Sequence, residues 1–347
     1  MRSGNHHVVR LEPGPLNALT DVPGIEVGHY THEVVHRGTT AVICRGGATA
    51  GVSVRGANPG TLHTDALGPD TPWGFVHGIG LTGGTLFGLS AITGITDALA
   101  AQGIGLERSK TILPIVAGAV IYDLNLSDPT VHPDTTWGQR AVAEASSGPF
   151  SRGNVGAGTG GTAGKGPGCV RTKGGLGTAS LVLHSEIVVA ALVVVNSLGG
   201  LIHPVSGGLY AESGGFDIPL LYQLLDEAPP VDRTLTNTTL GVIATNAALD
   251  KHQLIKVADL AHDGLARAIR PMHTTLDGDT IFAISTNLDE GTGTVPGTSG
   301  AYLTDLVGAA AADAMVLAVL DSVRETTSVL DWPSVAEARK HGSFGWS

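Results

Sequence analysis

Cysteine is nearly absent from this chain of 347 residues, which holds two, Cys44 and Cys169. They stand far apart and fit no metal-ligand spacing, so neither a disulfide scaffold nor zinc-finger chemistry is expected. Charge is also scarce, at 15% of residues, and 42% are hydrophobic. Such a chain can bury a sizeable core and leaves little room for disorder. Positive charge is the scarcer sign, 20 Lys and Arg against 31 Asp and Glu, for a net charge of −11. That balance argues against nucleic acid or an anionic membrane as partner. No repeat of fixed period occurs. The start, Met1 to His7, is polar and lacks an apolar signal core, so the expected location is the cytoplasm. The longest apolar stretch, Leu303 to Leu320, is interrupted by Asp305 and Asp313 and reads as a buried helix rather than a membrane span.

Glycine is abundant instead, at 50 residues with no G-X-Y period, which excludes collagen and implies tight turns and close backbone contacts. Strand and helix signals alternate along the chain. Pro23-Gly24 opens a strand through Tyr30, and Thr40 to Cys44 forms a second. A turn-rich connection covers Arg55 to Pro72. His77 to Gly84 leads into a helix spaced by Leu86, Ile92, Ile95 and Leu99. The glycines there suggest a phosphate loop, but no Lys-Ser/Thr follows, and close helix-to-sheet packing is the better account. Ile112 to Tyr122 is β-rich and Trp137 to Ala145 helical. Leu176 to Leu183 and Ile187 to Val195 read as strands paired through a turn at His184-Ser185-Glu186. A surface loop is expected over Pro204 to Pro230. A helix capped by Asp250 ends before Arg270-Pro271. An Asp277-Gly278-Asp279 turn enters another strand, and a long alanine-rich helix spans Ala301 to Val323. Clustered strand pairs favour layers of sheet covered by helices over a doubly wound parallel sheet.

One short run organises the chemistry. Thr236 to Thr239 is a polar knot at the mouth of the buried strand Leu240 to Ala244. In an Asn-Thr pair the Thr hydroxyl can attack the Asn carbonyl, and hydrolysis of the ester frees Thr238 as a new N-terminus with nucleophile and amine base on one residue. Most Asn-Thr pairs are plain turn residues, so this pair needs company. Lys165 stands alone in the glycine-rich run Gly153 to Gly168, which reads equally as a flexible linker or as a turn against a site. Asn196 ends a strand, as a turn former or as an amide donor to an oxyanion. Asp277 and Asp279 read locally as a solvated turn.

Together these motifs resemble the self-processing N-terminal-nucleophile hydrolases, the family of the D-aminopeptidase/esterase, the β-peptidyl aminopeptidases and the 6-aminohexanoate-oligomer endohydrolase. The likeness rests on Leu19 to Tyr30, Ala119 to Asp123, Thr162-Ala163-Gly164-Lys165, Val194-Val195-Asn196, Asn237-Thr238-Thr239 and Asp277 to Ala283, in that order. Thr at the nucleophile position and Asp-Gly-Asp at the turn are more similar to the nylon-oligomer branch than to the aminopeptidase branch. The resemblance implies a four-layer αββα sandwich in a single domain, 1–347, cut into 1–237 and 238–347. It implies Thr238 as nucleophile, Lys165 and Asn196 beside it, Tyr122 near the oxyanion or substrate, and Asp277 and Asp279 supporting the new amine. It further implies amide hydrolysis of short peptides or 6-aminohexanoate oligomers, no cofactor or metal, and homotetramers or larger rings of processed pairs. Aminopeptidase or acyltransferase action on the same fold, and an unprocessed binding protein, are the competing readings.

Overall fold

One long strand, Arg37–Val54, joins the two halves of the fold. The computed structural model describes residues 11–166, 169–183, 186–202, 237–286 and 300–340. Among these residues the main sheet has nine strands. They are β1 (Glu26–His32), β2 (Arg37–Val54), β3 (Thr61–Leu62), β4 (Phe75–Thr82), β5 (Val116–Val120), β6 (Leu176–Val182), β7 (Val188–Asn196), β8 (Thr238–Thr245) and β9 (Thr280–Ser285). The order is β6-β7-β8-β9-β2-β4-β5-β3, with β1 also on β2. The first part of β2 pairs with β1 and its last part with β9, and a register shift between Ile43 and Ala48 separates the two. A bulge at that point turns the strand and lets the halves fold face to face.

Side-chain alternation then fixes the layers. Val42, Cys44, Ala50 and Val52 of β2 share a core with Ile79 and Leu81 of β4, Leu192 and Val194 of β7, Leu240 and Val242 of β8, and Phe282 of β9. This core lies between the half-sheets. The opposite faces carry helices: α1 (Leu89–Ala101) and α2 (Thr135–Ala143) on one, α3 (Lys251–Ala268) and α4 (Gly300–Glu325) on the other. Ile92, Ile95 and Leu99 of α1 pack on Ala41 and Ile43, while Leu254, Val257, Leu265, Met315 and Val319 pack on Val193 and Ile281. A last short helix, α5, spans Val335–Lys340. The expected four layers are present.

Two strand pairs are parallel, β4 with β5 and β8 with β9, and each needs a crossover. Helix α1 supplies the first and α3 the second. The start of α3 is closed by a capping box in which Asp250 accepts from the Gln253 amide at 2.9 Å. Helix α4 is long and apolar enough to cross a membrane by length and composition, but most of its apolar side chains, among them Leu303, Val307, Met315, Val319 and Val323, are buried on the sheet and α3.

Several elements differ from the sequence expectation. The second strand does not stop at Cys44 but runs to Val54, because Ala48, Ala50 and Val52 stay in the central core after the bulge. His77 to Gly84 is largely strand β4, buried between β2 and β5. The helix after it starts at Leu89, behind a 3-10 turn over Thr85–Gly88. Within the turn-rich Arg55 to Pro72, Thr61–Leu62 pairs with β5. The glycine-rich run is no linker. Gly156–Gly158 forms a buried 3-10 turn, and Thr162–Ala163 pairs with Thr172–Lys173. The loop expected at Pro204 to Pro230, the turn residues His184-Ser185 and the tail after Lys340 lie outside the described residues.

Helix α3 sits directly on the backbone of β2. A Cβ built on Gly51 would lie 2.6 Å from the Ile255 nitrogen and 2.9 Å from the Leu254 carbonyl carbon. Gly51→Val therefore has to push the helix away. It is expected to lower the unfolding free energy by about 1–3 kcal/mol in urea titration; an unchanged midpoint would show that α3 does not seat there.

Candidate active site

Strand β8 brings the Asn237-Thr238 peptide into the interior. Its first residue, Thr238, lies opposite Asn196, the last residue of β7. Because β9 runs parallel to β8, the turn that feeds β9 passes beside the residue that feeds β8. Asn237 and Asp277 form an isolated parallel bridge there. The Asn237 amide donates to the Leu276 carbonyl at 3.0 Å, and the Gly278 amide donates to the Asn237 carbonyl at 2.7 Å. The Thr238 hydroxyl donates to the same carbonyl at 2.6 Å. Both residues are buried, Thr238 at 4% exposure. One carbonyl thus receives two donors, and the hydroxyl oxygen sits beside the adjacent carbonyl group. Only glycine fits at 278, since a Cβ would stand 2.7 Å from the Thr238 hydroxyl and 2.7 Å from the Asn58 carbonyl.

Asp277 and Asp279 are not a solvated turn. Both are buried, because the chain after β2 closes over them. The Asn58 amide donates to the Asp277 carbonyl at 2.9 Å, and the Arg55 amide to the Asp279 carbonyl at 3.0 Å. The Asp277 carboxylate accepts from the Thr274 amide at 2.9 Å, the Thr274 hydroxyl at 2.5 Å and the Leu198 amide at 3.3 Å. Burial, and then the carboxylate of Asp279, hold its pKa above the usual carboxylate range. Asp279 accepts from the Thr239 amide at 2.7 Å, so it grips the main chain one residue past Thr238.

On the other side of β8, Asn196 ties two expected partners together. Its side-chain oxygen accepts from the Lys165 ammonium at 2.8 Å and from the Thr162 amide at 3.2 Å. Its Nδ2 donates to the Tyr122 carbonyl at 2.9 Å. One hydrogen of the Asn196 amide is thus engaged by the main chain of Tyr122, and its oxygen holds Lys165. Lys165 also reaches the Asn196 carbonyl at 3.2 Å. Burial pushes its pKa down from 10.5 to about 7, against the opposing pull of Asp277, Asp123 and Asp279. All seven residues singled out in the sequence, Tyr122, Lys165, Asn196, Asn237, Thr238, Asp277 and Asp279, are joined here by contacts or by strand register. Among the described residues no group of three or more His, Cys, Asp and Glu is placed to hold a metal ion.

Known proteins carry the same arrangement of chain. Peptidase family S58 matches residues 17–332. The chain belongs to that family. An uncharacterized aminopeptidase of Mycobacterium leprae is 37% identical, over 96% of this chain and 97% of its own. The 6-aminohexanoate-oligomer endohydrolase of Paenarthrobacter ureafaciens is 33% identical, over 87% of this chain and 84% of its own. Among solved structures, a β-aminopeptidase of Burkholderia superposes with a TM-score of 0.71 at 26% identity, covering 95% of this chain and 94% of the other. The L-aminopeptidase D-Ala-esterase/amidase of Ochrobactrum anthropi, described as a variant of the Ntn-hydrolase fold, gives 0.68 at 23% identity, covering 94% and 90%. This S58 peptidase is accordingly an amide-bond hydrolase of the Ntn-hydrolase fold.

Behind Lys165 the S58 peptidase holds a charged cluster to which the sequence reading assigned no role. Lys173 is fully buried and donates to the carbonyls of Gly158 at 3.2 Å, Gly161 at 2.5 Å and Gly174 at 2.7 Å. It clamps the glycine-rich run that presents Lys165. Burial pushes its pKa down from 10.5 to about 7 as well. Asp123, next to Tyr122, is raised by burial to about 6 and accepts from Arg37 at 3.2 Å and from the Gly84 amide at 2.8 Å. Arg37 is itself fully buried and donates to the carbonyls of Asp123, Leu124, Asp128 and Val131, which pins the segment after Tyr122. Periodicity reveals none of this. Lys173 precedes Gly-Gly and looks like a surface turn residue.

The lowered lysines fix a sign. Between about pH 7 and 10 the unfolded chain keeps a proton on Lys173 that the folded chain has released, so stability rises with pH across that window. Lys165 adds in the same direction. Lys173→Met is expected to flatten this rise in urea unfolding measured across the window; an equal slope would show that Lys173 titrates normally.

Proposed function

We propose that this S58 peptidase cuts its own chain between Asn237 and Thr238, leaving pieces of 237 and 110 residues, and then hydrolyses amides through Thr238 as an N-terminal nucleophile. The observation that carries the reading is the Asn237 carbonyl, held at 2.7 Å by the Gly278 amide with the Thr238 hydroxyl 2.6 Å from its oxygen. In the first reaction the hydroxyl oxygen adds to the carbonyl carbon. The Gly278 amide stabilises the oxyanion, and the C–N bond then breaks to give an ester. A neutral Lys165, favoured by its lowered pKa, accepts the hydroxyl proton, and the departing nitrogen is protonated to become the Thr238 amine. Water hydrolyses the ester, leaving the Asn237 carboxylate and a free Thr238.

The new α-amine has a pKa of about 7.7–8.0 in a free chain, so part of it is neutral near neutral pH and takes the proton of the Thr238 hydroxyl during attack on substrate. Asp277 and Asp279 orient it, and Lys165 in its protonated form offsets their negative charge. A substrate amide passes through an acyl-enzyme that water releases. The substrates are short aminoacyl amides, in keeping with relatives named as aminopeptidase, β-aminopeptidase and 6-aminohexanoate-oligomer endohydrolase. Assembly into tetramers or larger rings of processed pairs and a cytoplasmic location complete this reading.

Thr238→Ala is expected to remain a single chain by intact mass and to lose amide hydrolysis, while the unaltered protein reads Thr238 first in N-terminal sequencing. Two pieces from Thr238→Ala would end the proposal. Gly278→Ala places a methyl on the Thr238 hydroxyl and displaces the amide from the Asn237 carbonyl. Loss of one such donor costs about 2.7–4 kcal/mol in the barrier, so self-cutting followed by gel electrophoresis should slow by a hundredfold or more. Cutting at the normal rate would remove Gly278 from the reaction.

A further inference from the structure

We propose that His273 is a positioning residue of this active site, holding the buried carboxylate of Asp279 that grips the main chain beside Thr238. The inference builds on the Thr238 reading and assigns a residue that reading does not use. The backbone amide of His273 donates to Asp279 Oδ2 at 3.1 Å, and the ring Nδ1 meets the same oxygen at 2.9 Å. The other carboxylate oxygen accepts from the Thr239 amide at 2.7 Å. Asp279 is fully buried, at 0% exposure, so each of these donors replaces a water that the carboxylate has lost. The carboxylate can only accept, so Nδ1 carries the hydrogen. His273 adopts φ +59°, an uncommon conformation for a residue with a side chain. That conformation is what brings the amide and the ring onto one oxygen.

The far side of the ring is closed. His262 of α3 packs edge to face on it, with ring centres 4.7 Å apart, and its Nε2 lies 3.1 Å from the Ser53 carbonyl. Burial pushes the pKa of His262 down to about 3, so that ring stays neutral. The charged groups around the pair are Asp279 on the His273 side and, around His262, Arg55 and Asp259, which pair with each other at 2.6 Å. Arg55 also pairs with Asp263 and Asp259 with Lys256, and among the described residues His273 is the side-chain donor to Asp279. A sequence of contacts runs from His273 to Asp279 to the Thr239 amide. In the cut enzyme it sets where the Thr238 amine and hydroxyl stand.

Two variants separate this role from simple packing. His273→Asn keeps a side-chain donor and tolerates positive φ, as Asn does more readily than most residues. His273→Gly keeps the backbone conformation and the amide donor but deletes the ring. The full chain is followed by self-cutting and by kcat and KM on an alanyl p-nitroanilide from about pH 5 to 9, at equal folded protein by circular dichroism. His273→Gly is expected to lose about ten- to a hundredfold in kcat, the size of a hydrogen bond to a charged group, with KM nearly unchanged. His273→Asn should recover most of kcat. Wild-type kcat in His273→Gly would overturn the inference. So would a folded His273→Asn as inactive as the glycine variant, and this second comparison stands even if His273→Gly fails to fold. If the unaltered protein is never cut before Thr238, the proposed function fails. If it is cut and His273→Gly behaves normally, only this inference fails.

Discussion

The arrangement at the active site depends on the parallel pairing of β8 with β9. Parallel register places the residues preceding both strands side by side, so the Gly278 amide meets the Asn237 carbonyl at 2.7 Å. In an antiparallel pair the turn before β9 would lie at the opposite end of β8. The same pairing sets Asp279 against the Thr239 amide. It requires a crossover helix, and α3 provides one by packing against the backbone of β2 and β9. The geometry around Thr238 is thus tied to a helix-on-sheet contact at Gly51, on a different strand.

A second constraint is electrostatic. Few residues in this chain are charged, yet Arg37, Asp123, Lys173, Asp277 and Asp279 are all buried near the same end of the sheet. Burial costs each of them solvation, and each recovers part of it through main-chain or ionic partners. Lys173 is met by three carbonyls rather than a carboxylate, and Asp123 by Arg37 and a backbone amide. The consequence is that Asp123 is raised to about 6, Lys173 is lowered to about 7 and Asp277 is raised as well. Such displacement suits a site that must move protons near pH 7, which is why perturbed groups gather at active sites. The glycine-rich run serves this end, because its carbonyls, with no side chains in the way, can surround an ammonium at close range.

The elements most legible in the sequence were those whose packing is local. Asp250 with Gln253 marks the start of α3, and the alanine-rich stretch from Ala301 marks α4. Leu176 to Leu183 and Ile187 to Val195 pair as neighbours do. The extent of β2 was not legible beyond Cys44, since the bulge at residues 45–47 interrupts its alternation. Strand β4 resembled an approach to a helix because its alternate glycines carry no hydrophobic signal. Asp277 and Asp279 looked like turn residues, and locally they are; only the loop from Arg55 to Asn58 laid over them makes them buried.

The sequence on its own determined the family likeness, the layered α/β class and the identity of the residues around Asn237 and Thr238, because order and residue type along the chain suffice for those. It left open which groups Asn196, Lys173 and His273 contact, and which amide meets the Asn237 carbonyl. Those were decided by tertiary structure. Each depends on groups far apart in the chain meeting within about 3 Å, a distance set by strand register and helix packing rather than by local sequence.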